Sequence, residues 1–254
     1  MSGGLVTAIR TLTILPVPGR DAERFSASLY WFPLVGLLVG ALQALPAMAG
    51  AAAGWLELAA LLALASGGIL TRGLHADGLA DLADGFFGGR DREASLRIMK
   101  DPNVGSFGAL ALIVVTLFKW VCLLELVRHG AFGMIAAGVM LARMSQVLLA
   151  ERLPYARAEG GTATAFVEGA GISHLVVALL SALILLMPLV HFDPFKAGFL
   201  MAGAVGSASA VGLLSWRKIR GVTGDVLGAC SESTEVVVWI IAVLICKYPL
   251  SGQL

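Results

Sequence analysis

Three aspartates, Asp77, Asp81 and Asp84, lie in the run His75-Ala76-Asp77-Gly78-Leu79-Ala80-Asp81-Leu82-Ala83-Asp84-Gly85. At 100° per helical residue their offsets of four and seven put all three carboxylates within about 60° of arc, on one helix face. Carboxylates that close repel unless a positive charge sits among them, and a hard divalent cation bound by oxygen is the usual remedy. Leu79, Leu82 and Phe86 fall on the opposite face, so the segment can bury one side while turning its acids toward a polar cavity. Gly78, Ala80, Ala83 and Gly85 keep the surroundings small, which would let a bulky phosphate-bearing substrate approach the backbone.

Further charged residues follow the same logic. Lys100 and Arg97 are three apart and could grip phosphate oxygens, while Asp101, beside Pro102, is either a further ligand or the N-cap of the next helix. Arg143 lies deep in an apolar run, where a guanidinium normally faces a partner or a water-filled cavity. Arg157 opens a Gly-rich loop through Glu159-Gly160-Gly161-Thr162, suited to a lid. If a helix starts near Asp225, then Asp225, Glu232 and Glu235 share about 80° of arc and form a second acidic face. Its partners would be a cation, a substrate hydroxyl, or arginines such as Arg143 and Arg217. Thr223 reads equally as an N-cap or a ligand contact, and His75 as a substrate contact, a carboxylate orienter or a helix cap.

The elements that must position these residues are membrane-spanning. Of 254 residues 58% are hydrophobic and 14% charged, and the mean hydropathy is +0.87. Seven apolar runs are long enough to cross about 30 Å of hydrocarbon, near 28–49, 52–71, 105–127, 130–150, 173–191, 195–216 and 228–246. Leu5, Ile9, Leu12 and Leu15 recur at helical spacing before Pro16 and Pro18, which predicts a short helix at the membrane surface. The fold class is therefore all-α: a polytopic membrane bundle of about seven spans with an N-terminal interfacial helix and an acidic helix on the cytoplasmic side, in a single domain over 1–254.

Basic residues set the expected direction. Arg10, Arg20, Arg24, then Arg72 through Lys100, then Arg152 and Arg157, then Arg217, Lys218 and Arg220 flank one side, and only Arg128, Lys196 and Lys247 the other. By the positive-inside rule the N-terminus and the acidic loops face the cytoplasm and the C-terminus lies outside. The localisation expected is a multi-pass cell membrane protein, in the inner membrane where the host has two. A net charge of +1 with scattered basic residues argues against nucleic acid. Cys122, Cys230 and Cys246 lie in apolar runs and read as packing. The N-terminus lacks the pattern of a removable signal peptide, and zincin, Walker and GxSxG arrangements are absent.

Taken together, Leu15-Pro16-Val17-Pro18, Phe32-Pro33-Leu34-Val35-Gly36, the stretch His75 to Gly85, Ile98-Met99-Lys100-Asp101 with Gly105, Arg143, Tyr155-Ala156-Arg157, and Thr223-Gly224-Asp225-Val226-Leu227-Gly228-Ala229 with Glu232 resemble the cobalamin (5′-phosphate) synthase family. The chain departs from that pattern at Ile14, Arg97, Asn103 and Arg220. The resemblance implies adenosylcobinamide-GDP ribazoletransferase activity: adenosylcobinamide-GDP and α-ribazole or its 5′-phosphate as substrates, GMP as leaving product, Mg²⁺ as cofactor, and the lipid bilayer as partner, with homo-oligomers not excluded. It assigns catalysis to Asp77, Asp81, Asp84, Asp225 and Glu232, the metal to Asp77, Asp81 and Asp84, and substrate contacts to His75, Lys100, Asp101, Arg143, Tyr155, Arg157 and Thr223. Two other readings stay open on the residues alone. The D-G-x-x-D-x-x-D flavour suits a CDP-alcohol-phosphotransferase-like lipid enzyme, although its D-G-x-x-A-R pattern is missing. An ion-coupled transporter would also bury carboxylates, but would show an internal repeat that the chain lacks.

Overall fold

A computed structural model of the chain describes residues 3–248. They form α1 (Gly3–Leu12), a 3-10 helix (Phe25–Trp31), α2 (Phe32–Ala52), α3 (Leu56–Leu70), α4 (Leu74–Gly88), α5 (Arg92–Ile98), α6 (Ser106–Arg128), α7 (Phe132–Arg152), α8 (Thr164–Val167), α9 (Ile172–Leu189), α10 (Pro194–Ile219) and α11 (Gly224–Lys247). Six helices, the first counted with its 3-10 lead-in, are long and apolar enough to cross a membrane. Leucine, isoleucine, valine and phenylalanine side chains of α6, α9 and α10 remain exposed, as lipid-facing surfaces require where the solvent is itself apolar. The most enclosed is α7, whose window is 83% buried. It lies at the centre, packed against α2, α11, α9 and α10.

The seventh expected span is α3, and it differs from the others. Its fifteen residues rise only about 22 Å, short of the hydrocarbon thickness. It stops because Arg72 and Gly73 turn left-handed, at φ +55° and +68°, just after Thr71, whose hydroxyl donates to the Gly67 carbonyl at 2.9 Å. Glycine carries that conformation freely; arginine does so at a cost. α4 then leaves at 85° to α3, so the acidic segment is a separate helix and not a continuation of the span. The Ile14 amide, just after α1, donates to the Leu70 carbonyl at 2.7 Å and satisfies one end group of α3.

α1 forms where periodicity placed it, with Val6, Ile9 and Leu12 buried against the 3-10 helix. Successive helices are joined by short connections, so their ends alternate between two faces of the bundle. Arg128 reaches Glu57 at 3.8 Å and Lys247 reaches Glu125 at 2.6 Å, which ties one face together. The other gathers α1, α4, α5, the 153–171 connection and the start of α11. Most arginines of the basic loops lie on this second face, where the charge pattern puts them; the C-terminus itself, with residues 249–254, lies outside the described residues.

Candidate active site

α4 is held with its predicted apolar face inward: Leu79 and Leu82 are 7% exposed and Phe86 is fully buried. The close neighbour on that side is α11. A Cβ on Gly78 would stand 2.8 Å from the Asp225 carbonyl oxygen, and one on Gly228 3.2 Å from that of His75. The small residues of the acidic run therefore serve helix-on-helix contact. This corrects the expectation that they clear room for substrate at Gly78 and Gly85, where neighbouring helices occupy the space; Ala80 does line an open cavity.

The contact sets the carboxylates. Asp77 is exposed and Asp81 half-buried, and Asp81 lies within electrostatic range of Asp225, Asp77 and Asp84 on one side and Arg157 on the other. Asp225, in the first turn of α11, is an acid brought to the first two by tertiary packing. Asp84 faces another way. Its Oδ2 accepts from the Gly105 amide at 2.7 Å and its Oδ1 from the Gly108 amide at 2.9 Å, so it caps the positive end of α6 from another helix. Three acids in helical register thus become two that meet Asp225 and one that anchors α6.

Around this cluster the loops converge as residue pairs. The Ala156 amide donates to Val222 at 2.8 Å and the Val222 amide to Pro154 at 2.9 Å, a two-residue bridge that places Tyr155-Ala156-Arg157 beside the start of α11. Arg157 donates to Asp225 Oδ2 at 3.1 Å and to the Met99 carbonyl at 3.4 Å. Thr223 donates to the same Asp225 oxygen at 3.1 Å and accepts from the Val226 amide; of its two readings, the N-cap is the one observed. Lys100 pairs with Glu159 across the mouth of the site, and this salt bridge holds the Glu159 carboxyl below its usual range. Asp101 caps no helix. Its Oδ1 accepts from the Asn103 amide and side chain at 2.9 and 2.7 Å, which lowers its pKa, and Gly105 takes the N-cap position of α6.

Arg143 and Glu232 are placed elsewhere. Arg143 is 2% exposed and donates to Ser231 and, at 3.1 Å, to Glu235. Lys119 of α6 reaches both Glu232 and Glu235 at 2.6 Å. Arg143, expected as a substrate contact, and Glu232, expected as a catalytic residue, are therefore members of an ion-paired tetrad roughly two helical turns below Asp225. The second acidic face divides in the same way, with Asp225 in the site and Glu232 and Glu235 bound to Lys119 and Arg143. Arg217, offered as a partner for them, is not in the tetrad.

Two cavities meet at Asp77. One, of about 350 Å³, lies between α4, α11, α1, α2 and the 162–166 segment. The other, about 570 Å³ and more open, runs along the α6 side of α4 past Arg72. His75 is 2% exposed, lines the first cavity, and has no partner for either ring nitrogen; Gln146, 4% exposed, has a free Oε1 there. Phe166 and Gln146 carried no sequence signal: each sits in a stretch that reads as ordinary lining, and only convergence shows them.

The donor set fits a magnesium ion. Hard carboxylate oxygens from Asp77, Asp81 and Asp225 outnumber the one guanidinium beside them, and Mg²⁺ is ordinarily held by one or two carboxylates together with substrate phosphates. Among the described residues no three acidic, histidine or cysteine side chains stand close enough together to hold a metal ion by themselves.

A profile of the cobalamin-5-phosphate synthase family matches residues 4–243. The chain is 68% identical over 247 residues to a protein of Chlorobaculum parvum named adenosylcobinamide-GDP ribazoletransferase, and 66% identical over 247 residues to one of the same name from Chlorobaculum tepidum; each match covers 97% of both chains. A similarly named protein of Syntrophobacter fumaroxidans is 41% identical over 95% of this chain and 92% of its own. No solved structure matches. With acids and loops gathered at one end of an apolar bundle and likeness along nearly its whole length, the chain belongs to the cobalamin-5-phosphate synthase family and is a membrane-embedded transferase.

Proposed function

We propose that the chain transfers the adenosylcobinamide-phosphate group of adenosylcobinamide-GDP to a hydroxyl of α-ribazole or its 5′-phosphate, forming adenosylcobalamin or its 5′-phosphate and releasing GMP. The observation that carries this reading is the meeting of Asp77 and Asp81 on α4 with Asp225 on α11, beside Arg157 and at the junction of two cavities. An in-line displacement at phosphorus needs the nucleophile and the leaving group on opposite sides of the reacting atom, and two cavities joined at a carboxylate supply opposite sides.

Asp77, Asp81 and Asp225 would hold Mg²⁺, which when bound neutralises charge on the phosphate oxygens. Arg157 holds Asp225 in place and stands ready to exchange that partner for a phosphate oxygen. Lys100 and Glu159 join the rim of the 98–101 loop to the Gly-rich loop, so opening this pair frees both for substrate to enter. Asp84 fixes the start of α6 and thereby the open wall of the larger cavity. The basic face of the bundle, with all of this machinery, lies toward the cytoplasm by the positive-inside rule.

The test is GMP release from adenosylcobinamide-GDP and α-ribazole by the full chain in detergent, with and without Mg²⁺, for wild type and Asp77→Ala. Turnover in detergent requires no gradient, which separates the enzyme from an ion-coupled transporter. Activity that survives loss of both the metal and the carboxylate would falsify the mechanism.

A further inference from the structure

The smaller cavity at Asp77 has a composition that discriminates between ligands. Phe32 and Phe166 line it with ring centroids 6.3 Å apart, and Leu12, Leu29, Leu74 and Leu227 extend the apolar wall. Among the described residues, the charged side chains that line it are Asp77 and Asp225, with no lysine or arginine. Both acids stand where the cavity meets α4 and α11, and none of its described lining residues is a lysine or arginine that could hold a ligand group bearing free negative charge in its depth. Polar partners along the lining are few: the His75 ring, which as neutral imidazole offers one donor and one acceptor, the free Gln146 Oε1, and the Thr11 and Thr162 hydroxyls.

These properties select between the two rings that the proposed reaction brings in. Guanine carries donors and acceptors around its whole edge, and burying them against leucine and phenylalanine leaves most of them without partners, a heavy cost. The benzimidazole of α-ribazole has an apolar, methylated edge and one free ring nitrogen, which a single imidazole N–H can satisfy. We propose, resting on the transferase reading above, that this cavity is the subsite for the uncharged aromatic base of the acceptor nucleoside. Its ribose then faces Asp77 and Asp225, and Phe166 acts as a specificity-determining wall carried on α8, just after the Gly-rich loop. The more open groove past Arg72 is left to the anionic diphosphate donor.

Steady-state kinetics of GMP release with each substrate varied separates the two sides. Phe166→Ala should raise the KM for α-ribazole about tenfold or more through lost ring contact, with the KM for adenosylcobinamide-GDP unchanged. A rise confined to the donor overturns the assignment. A second readout needs no turnover. Thr162, exposed at the cavity mouth, is replaced in Thr162→Cys and labelled with a small methanethiosulfonate against wild type as background. α-Ribazole should slow labelling at least about tenfold, as expected when a ligand buries most of its surface in such a cavity, while GMP should not. Protection by GMP alone, or by neither, overturns the proposal. If wild type releases no GMP yet α-ribazole protects, the reaction assignment fails and the subsite stands.

Discussion

Two groups of acids that share α11 behave in opposite ways. In the tetrad, Lys119 and Arg143 meet Glu232 and Glu235, two charges of each sign, all buried except the partly buried Glu232. A cavity of about 190 Å³ adjoins them, bordered by Gln43 and Thr71, and Trp239 covers Lys119 with its ring centroid 5.7 Å from Nζ. In the α4–α11 cluster, Asp77, Asp81 and Asp225 have Arg157 alone beside them, and Asp77 opens onto two cavities. Buried charges persist when they are neutralised where they stand; an excess of one sign, half-open to solvent, is what a site needs if its counter-charge arrives with the substrate. The difference teaches that intramembrane charge, by itself, does not mark the chemistry. Balance does.

The comparison can be broken most forcefully at Glu235. Glu235→Ala leaves Arg143 and Lys119 with one acid between them, and should lower stability by about 3–5 kcal/mol, read as an earlier thermal transition in detergent. Asp81→Asn should do the reverse: it relieves repulsion in the open cluster, so the transition stays or rises while GMP release falls by about a hundredfold or more if a metal contact is lost. Equal destabilisation by both variants would erase the distinction drawn here.

Asp84→Ala sharpens it from another side. Two backbone amides of α6 lose their acceptor, at a cost of about 1–3 kcal/mol, whereas Asp84→Asn keeps one acceptor oxygen and should recover part of the loss. Both variants should retain more GMP release than Asp77→Ala, since Asp84 faces the α6 amides; activity as low as that of Asp77→Ala would return Asp84 to the metal set. Chelation of Mg²⁺ should then stop turnover without shifting the thermal transition of the substrate-free chain, because a site completed by substrate phosphates holds the ion weakly when empty.

The smallest effect is expected at the rim. The Glu159 carboxyl is held low by Lys100, so the stabilisation it gives is present above the ordinary carboxylate pKa and is lost as pH falls through the depressed value. Both side chains are at least half exposed, where such pairs contribute little. Lys100→Met should therefore leave the thermal transition unchanged at neutral and mildly acidic pH, while altering the KM for substrate if the pair gates the loop.

Much of this was legible in the chain. Apolar runs marked the spans because the bilayer leaves few alternatives to a long helix; the period of α4 placed Leu79, Leu82 and Phe86 inward; and the Tyr155-Ala156-Arg157 and Thr223–Asp225 segments were singled out and do adjoin. Less legible was which acid meets which base. Lys119 and Arg143 looked alike in sequence, two cations within apolar runs, and Asp84 looked like a third copy of Asp77. The left-handed turn at Arg72 and Gly73, which ends α3 early and sends α4 off at 85°, had no period to announce it.

The sequence by itself determined the class of molecule and the inventory of its chemistry: a helical membrane bundle with carboxylates and basic residues concentrated on one face. Those follow from hydropathy and local periodicity, which act over a few residues at a time. Tertiary structure decided the partnerships, because backbone contact at Gly78 and Gly228 fixes how α4 meets α11, and a rotation of either helix by one residue would exchange which carboxylates face each other, which face α6, and which are neutralised in the interior.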